Sequence, residues 1–290
     1  MNEKGLTEDG TIAREGALDR VPEAFAPVVA DARARITTAF ADGHRQRLHS
    51  AYVYGSIPRG TAVPGRSDLD LLLALHGEPT DADRADADRM AAELDGAHPA
   101  IDTAGILLVR ARTVLSERER HDLGFFVACL CTPLLGPDLA AALPRYRPTP
   151  LLARETNGDL ALVLPRWRAR AADGRTDADR TRLCRGVARR LVRTGFTLVM
   201  PRWGGWTSDL ERSAEVFGHY YPEHAHRMRT TAAAALAPSP DPALLRLFLD
   251  DLGPWLAAEY TAVHGEKAPR PGPGRPTGEP DTVRRAIERV

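Results

Sequence analysis

The chain has 290 residues, in which 39 Lys and Arg balance 39 Asp and Glu, so the formal net charge at pH 7 is zero. This balance argues against a protein that coats nucleic acid, because such proteins carry a large excess of positive charge. An apolar fraction of 43% with 27% charged residues is ordinary for a globular protein and excludes disorder of the whole chain. The apolar runs at 71–75 and 106–109 are too short to span a bilayer, and no apolar stretch of a secretory signal follows the N-terminus. We therefore expect a cytoplasmic protein that does not enter a membrane.

The first half of the chain alternates between helical and strand patterns after a polar segment, 1–20, that we expect to be flexible. The predicted elements are a helix at 22–48, strands at 51–54 and 68–75, a helix at 81–94 and a strand at 101–109. The acids of the helix at 81–94 are interpreted as a solvated face. This order indicates a small α/β unit.

The second half is dominated by helical patterns separated by Pro and Gly. Helices are predicted near 113–132, 150–171, 177–200, 207–220, 222–236 and 241–264. The three cysteines, Cys129, Cys131 and Cys184, lack metal-ligand spacing and are predicted to be reduced thiols in the core. The expected fold class is α+β, with a flexible N-terminus at 1–20, a catalytic domain with a small mixed sheet and flanking helices at 21–135, an α-helical bundle at 136–264 and a disordered Pro/Gly-rich tail at 265–290.

Two aspartates carry the most informative pattern. Because successive side chains of a strand alternate between faces, Asp68 and Asp70 project from one face. Like charges this close repel, and a hard divalent cation such as Mg²⁺, which takes carboxylates and substrate phosphates as ligands, relieves the repulsion. Upstream, Gly55 allows a ligand to approach the backbone, and the amides that open a short helix can donate to a phosphate. Ser56 and Ser67 add hydroxyl donors.

The order of strand, Gly-Ser turn, short helix and Ser-Asp-x-Asp-Leu resembles the signature of the nucleotidyltransferase superfamily, which includes DNA polymerase β and the aminoglycoside nucleotidyltransferases. The chain departs from it by one extra residue in the loop at 60–67. The resemblance implies that Asp68 and Asp70 are catalytic metal ligands. It also implies that the nucleotide is contacted by Gly55, Ser56, Arg59 and Ser67.

The same resemblance implies a third carboxylate on an adjacent strand, which accepts a proton from the acceptor hydroxyl or helps to hold metal. Asp102, at the start of the strand predicted at 101–109, is the candidate, and Asp95 is the next choice. The implied reaction is in-line attack of a hydroxyl on the α-phosphorus of a nucleoside triphosphate, with Mg²⁺ as cofactor and pyrophosphate as leaving group.

The helical half resembles that of the adenylyltransferases that modify streptomycin and spectinomycin. Local matches are the Leu-Leu-Gly-Pro sequence at 134–137, the Tyr-Pro-Glu sequence at 221–223, and Asp179 ten residues before Arg189. The resemblance implies that Arg189 contacts the triphosphate; a solvated basic face is the alternative. Exposed acids, among them Asp177 and Asp179, are candidates to bind a polycationic substrate.

Two features depart from the drug-modifying enzymes. Their phosphate-contacting lysine has no counterpart at 206–209, and their catalytic base is a glutamate where this chain has Asp102. The function expected is transfer of AMP from ATP to a hydroxyl of a small molecule, with an aminoglycoside-like antibiotic as the candidate acceptor. The alternative is a regulatory or antitoxin-type nucleotidyltransferase that modifies or sequesters a partner protein.

Overall fold

The computed structural model describes residues 3–41, 47–174 and 176–267. Within them the chain forms two compact units: the sheet unit, residues 13–146, and the helical unit, residues 3–12 and 147–267. The division at 146–147 lies beyond the one expected at 135–136, because the intervening segment folds onto the sheet unit. The Leu139 N–H donates to the Tyr52 hydroxyl (2.8 Å), and the Tyr146 hydroxyl donates to the Arg120 carbonyl.

The sheet unit is built on a mixed sheet of four strands, which confirms the predicted α+β class. The strands are β1 (Leu48–Tyr54), β2 (Ser67–Leu75), β3 (Ile101–Arg110) and β4 (Cys131–Leu135). They lie in the order β3-β2-β1-β4; β1 is antiparallel to β2 and β4, whereas β2 and β3 are parallel.

Strand β4 falls inside and beyond the helix expected at 113–132. That region holds two short helices, α4 (Ala111–Val114) and α5 (Leu123–Phe125), and a π-helical turn (Phe126–Leu130) that leads into the strand. The apolar spacing continues across the turn, so sequence alone does not mark where the helix ends. Pairing with β1 decides the conformation, and Pro133 is tolerated because β4 is an edge strand.

Helices cover one face of the sheet. The helices are α1 (Ala26–Ile36), which continues as a π-helical turn (Thr37–Ala41), α2 (Ser56–Arg59) and α3 (Asp81–Ala97). Leu69, Leu71 and Leu73 of β2 pack with residues of α1 and α3, whereas Leu72 belongs to a second apolar cluster with Tyr54. This alternation places the side chains of even-numbered β2 residues on the face away from α3.

The acids of α3 are not all solvated, which corrects the expectation for this helix. Asp83 is 4% exposed; it caps the helix in a capping box with Thr80 and accepts a hydrogen bond from Arg47. The predicted first helix at 22–48 is also shorter in the structure, and residues 42–46 lie outside the described ranges.

The helical unit contains seven helices in the described residues. They are α6 (Pro150–Asn157), α7 (Leu160–Asp173), α8 (Asp177–Trp203), α9 (Leu210–Tyr220), α10 (Ala225–Leu236), α11 (Pro242–Arg246) and α12 (Gly253–His264). The central α8 is buried along most of its second half, and Tyr260 of α12 donates its hydroxyl hydrogen to the Ala153 carbonyl of α6 (2.6 Å). No helix of the described ranges combines the length and apolar character that crossing a membrane requires.

Residues 3–12 form hydrogen bonds with other parts of the helical unit, whereas the sequence predicts a flexible segment at 1–20. The Trp206 N–H donates to the Lys4 carbonyl (2.8 Å), and Lys4 Nζ donates to the Trp203 carbonyl at the end of α8 (2.9 Å). The tail expected at 265–290 lies outside the described residues beyond Lys267.

Candidate catalytic site

The turn between β1 and α2 requires glycine at position 55. Gly55 has φ +83° and ψ −153°, a backbone conformation that side chains exclude. A Cβ atom at this position would also lie 2.9 Å from Oδ2 of Asp70. Because glycine has no side chain, the space beside the Asp70 carboxylate stays open. Any larger residue at position 55 would fill it.

Asp70 lies at the end of an apolar layer of the sheet. It is 5% exposed, and it pairs with Tyr54 on β1 and with Gly105 on β3. Leu72 follows it on the same face and is fully buried. Because an ionised carboxylate in an apolar layer is costly, this position points to a compensating charge or donor set at the strand's end.

Asp68, two residues earlier on the same face, is half-buried. Its Oδ1 accepts a hydrogen bond from the Thr103 hydroxyl of β3 (3.2 Å). Thr103 was not among the residues that the sequence predicts for the site; its place depends on the β2–β3 register, which no local pattern reveals. The two aspartates therefore stand side by side at the start of β2, as the period-two reading predicts.

An irregularity in the β2–β3 ladder brings Asp102 to the same end of the sheet. Ser67 pairs with Ile101 and Leu69 pairs with Ala104, so one residue of β2, Asp68, faces two residues of β3. Those two residues are Asp102 and Thr103, and both are exposed. This bulge places Asp102 opposite Asp68 in the ladder. Its role as base or metal ligand stays a prediction.

The second-choice carboxylate, Asp95, is engaged elsewhere. It lies at the end of α3, the helix that covers the opposite face of the sheet, and accepts a hydrogen bond from the backbone N–H of Ala104. Asp95 therefore holds the helix end against β3.

The donor set suits a cation that draws only part of its coordination from the protein. Within the described ranges, no three His, Cys, Asp or Glu side chains come together in a way that could hold a metal ion. Two carboxylates on one face are nevertheless the donors that Mg²⁺ takes in proteins when water and phosphate oxygens complete its shell. Asp68 and Asp70 fit that pattern.

A buried thiol adjoins the pair but is not a competing ligand. Cys131 pairs with Tyr54 across β1 and β4. Burial raises the pKa of the Cys131 thiol well above its usual value; Arg14 opposes the shift, and the charge of Asp70 adds to it. The thiol is therefore protonated at neutral pH. Like Cys129 and Cys184, it is a buried thiol, as predicted.

Two of the remaining predicted nucleotide-contacting residues of the sheet unit, Ser67 and Arg59, have intramolecular partners. The Ser67 hydroxyl oxygen accepts from the Val63 N–H (2.9 Å), and Ser67 has the strand parity of Leu69, opposite to that of the aspartates. Arg59 of α2 forms an ion pair with Glu15 (3.4 Å), and Ser56 is the half-buried first residue of that helix. Ser67 thus closes the loop before β2, while Ser56 remains beside Gly55.

Arg189, Asp177 and Asp179 belong to the helical unit. Asp179 accepts from the hydroxyl of Thr176 (2.6 Å). Hydrogen bonds from Thr176, together with nearby arginines, outweigh desolvation and hold the pKa of Asp179 below its ordinary value. Asp177 pairs with Arg180 in the same turn. Both carboxylates therefore stabilise the start of α8, and their predicted contact with substrate stays a prediction.

The arginines of α8 differ from one another in exposure and in their ion-pair partners. Arg182 pairs with Asp179 (3.7 Å), and Arg190 forms a buried ion pair with Asp159, which precedes α7. Lys267 also approaches Asp159 (3.7 Å). Arg189, next to this pair, is half-buried. Asp159 precedes α7 and lies apart in sequence from the arginines of α8, so no local pattern predicts its ion pair with Arg190.

Comparison with known proteins gives a distant structural likeness and no sequence match. No protein-family model matches the chain, and no curated protein gives a significant sequence match. Among solved structures, the chain is similar to the spectinomycin adenyltransferase AAD(9) from Enterococcus faecialis, determined with ATP and spectinomycin. The identity is 12% and the TM-score is 0.47, with 81% of this chain and 98% of that chain covered. A likeness at this identity says nothing of the substrate of this chain.

Proposed function

We propose that the protein is a Mg²⁺-dependent nucleotidyltransferase that moves AMP from ATP to a hydroxyl group of a small molecule. The observation that carries the proposal is the pair Asp68 and Asp70 on one face at the start of β2, with the obligatory glycine Gly55 against the Asp70 carboxylate. The resemblance of this segment to the nucleotidyltransferase signature supports the same reading.

The residues of the candidate catalytic site have distinct roles in this proposal. Asp68 and Asp70 would hold Mg²⁺, which when bound neutralises triphosphate oxygens and favours ionisation of the attacking hydroxyl. Gly55 lets the phosphates approach the backbone, and the Ser56 hydroxyl donates to a phosphate oxygen. The attacking oxygen bonds to the α-phosphorus as the bond to pyrophosphate breaks, and Asp102 accepts the proton of the hydroxyl. Catalysis in this scheme is positioning and charge stabilisation.

The finer parts of the proposal concern the acceptor and the helical unit. Arg189 is assigned to the triphosphate because a guanidinium fork matches phosphate oxygens. An aminoglycoside-like antibiotic is the acceptor that the sequence resemblance favours. A partner protein as acceptor is the competing outcome, and one experiment separates the two.

That experiment incubates the purified protein with α-labelled ATP and Mg²⁺, and with a panel of aminoglycosides and other hydroxylated metabolites. We expect label in a small molecule and release of pyrophosphate; label confined to a protein band would favour the alternative. Asp70→Asn should lower turnover by about 10²–10³-fold. Asp88→Asn, an exposed residue of α3, is the matched control and should leave turnover unchanged. Absence of Mg²⁺-dependent ATP binding by calorimetry would contradict the enzyme assignment.

A further inference from the structure

A segment before α1 contacts α2, the helix that follows the Gly55 turn. This segment, residues 14–20, is called the strap below. The Glu15 N–H donates to the Cys129 carbonyl (2.9 Å), just ahead of β4, and the Ala17 N–H donates to the Pro58 carbonyl of α2 (2.9 Å). The strap is therefore tied by backbone hydrogen bonds at one end to the sheet edge and at the other to the helix that follows Gly55.

A side-chain contact strengthens the tie to α2. Glu15, whose side chain is 10% exposed, pairs with Arg59, with 3.4 Å between Oε2 and Nη1. Arg20 donates from Nη1 to the Glu15 carbonyl (3.0 Å), which closes the strap on itself. Pro58 and Arg59, the last two residues of α2, are both held by this one segment.

The shapes of the strap and of α2 are matched closely. A Cβ on Gly16 would lie 2.5 Å from Oγ1 of Thr132 and 2.9 Å from Cβ of Pro58, so only glycine permits this approach. At the end of α2, a Cβ on Gly60 would lie 3.0 Å from the Arg20 carbonyl oxygen. The strap therefore packs closely against Pro58 of α2 and Thr132 of β4, with no room for a Cβ at position 16.

Helix α2 needs such support because it has four residues. A single helical turn is not stable by itself, since nucleation fixes several dihedral angles for each hydrogen bond gained. Its position must come from its neighbours. The Gly55–Ser56 turn begins this helix, so whatever holds α2 also sets where the turn faces Asp70.

We infer that the strap positions the Gly55–Ser56 turn for the nucleotide, with Glu15 and Gly16 as positioning residues that act through Arg59 and Pro58. The inference rests on the proposed function, since it assigns the turn to ATP. It also changes the task of Arg59, which here orients α2 through Glu15. Loosening the strap weakens ATP binding and leaves the transfer step itself nearly intact.

The test uses Gly16→Ala and Glu15→Ala, with Gly77→Ala as the matched control because its Cβ would meet nothing within 4 Å. We expect both strap variants to raise the KM for ATP about five- to tenfold with less than about a twofold change in kcat. Glu15→Gln, whose amide oxygen still accepts from Arg59, should restore most of the affinity. Hydrogen exchange of peptides covering 55–60 should be faster in the two strap variants and unchanged in Gly77→Ala.

The outcomes separate the inference from the proposed function. A wild-type protein that neither binds nor turns over ATP with Mg²⁺ overturns the proposed function, while the exchange of 55–60 still reports whether the strap holds α2. If the wild type is active but the strap variants match Gly77→Ala in KM and in exchange, the strap inference is wrong. A fall in kcat with unchanged KM would also overturn it, as would an effect of Glu15→Gln equal to that of Glu15→Ala.

Discussion

Substituting Gly55 by alanine tests the geometry of the candidate site without reference to any reaction. At φ +83° and ψ −153°, a residue other than glycine costs about 1–3 kcal/mol of backbone strain. The new Cβ would lie 2.9 Å from Oδ2 of Asp70, and moving that buried carboxylate away from its rotamer adds about 0.5–1.5 kcal/mol. Gly77→Ala, which meets no neighbour, should change stability by less than about 0.5 kcal/mol.

The assay must report on the sheet unit. All four tryptophans lie at positions of the helical unit, so tryptophan fluorescence follows that unit. Hydrogen exchange of β2 peptides in increasing urea measures the stability of the sheet unit instead. Equal stability of Gly55→Ala and Gly77→Ala would refute the reasoning. In an Asp70→Ala background the cost of Gly55→Ala should fall by the part due to the carboxylate; an unchanged cost would leave backbone strain as its only source.

Substitutions at three further positions test the site and the two units. Asp102→Asn should lower kcat with little change in the KM for ATP, and Asp102→Glu should retain more activity than Asp102→Asn; equal loss in both would argue against a proton acceptor at this position. Burial alone would raise the pKa of Asp83, but hydrogen bonds from Thr80 and Arg47 outweigh it and hold that pKa below its ordinary value of 3.8. The ionised carboxylate therefore stabilises the fold above about pH 4, and this contribution is lost as pH falls through the lower pKa of the folded state. We expect Asp83→Asn to lower the free energy of unfolding by about 1–3 kcal/mol at pH 7, measured by hydrogen exchange of α3 peptides. This loss should become smaller in acid. Asp159→Asn, which leaves Arg190 buried without its carboxylate, should destabilise the helical unit by about 3–5 kcal/mol in urea unfolding followed by tryptophan fluorescence, and a loss below about 1 kcal/mol would contradict the buried pair.

The sequence predicted the parts of the fold that depend on local periodicity. The run at 67–75 alternates between two faces and is buried on both. Strand β1 ends at the predicted residue, and β3 ends one residue beyond its predicted end. The rest of the fold depends on contacts between residues that are far apart in the sequence. Strand β4 forms because β1 offers an open edge, and residues 136–146 join the sheet unit because Tyr52 offers its hydroxyl to Leu139.

The candidate site divides in the same way. Asp68 and Asp70 share a face because of strand geometry, and Gly55 follows from the tight turn, so both were predictable. The contacts around these residues could not be predicted. Thr103 binds Asp68 because of the β2–β3 register, and Glu15 pairs with Arg59 from a polar segment whose composition predicts flexibility. Contacts between residues so far apart in the sequence produce no periodic pattern from which they could be predicted.

The bulge opposite Asp68 is the feature on which the third carboxylate depends. In a regular parallel ladder, residues 102 and 103 would fall on opposite faces, and only one of them would share the face of Asp68. Because Ile101 and Ala104 pair with consecutive odd positions of β2, both residues occupy the space opposite one aspartate. Because of this single extra residue, both the Thr103 hydroxyl, which binds Asp68, and the exposed Asp102 lie opposite Asp68 in the ladder. Removing one residue from this pair would restore the regular register and leave only one of the two groups opposite Asp68, so the bulge shapes the candidate site.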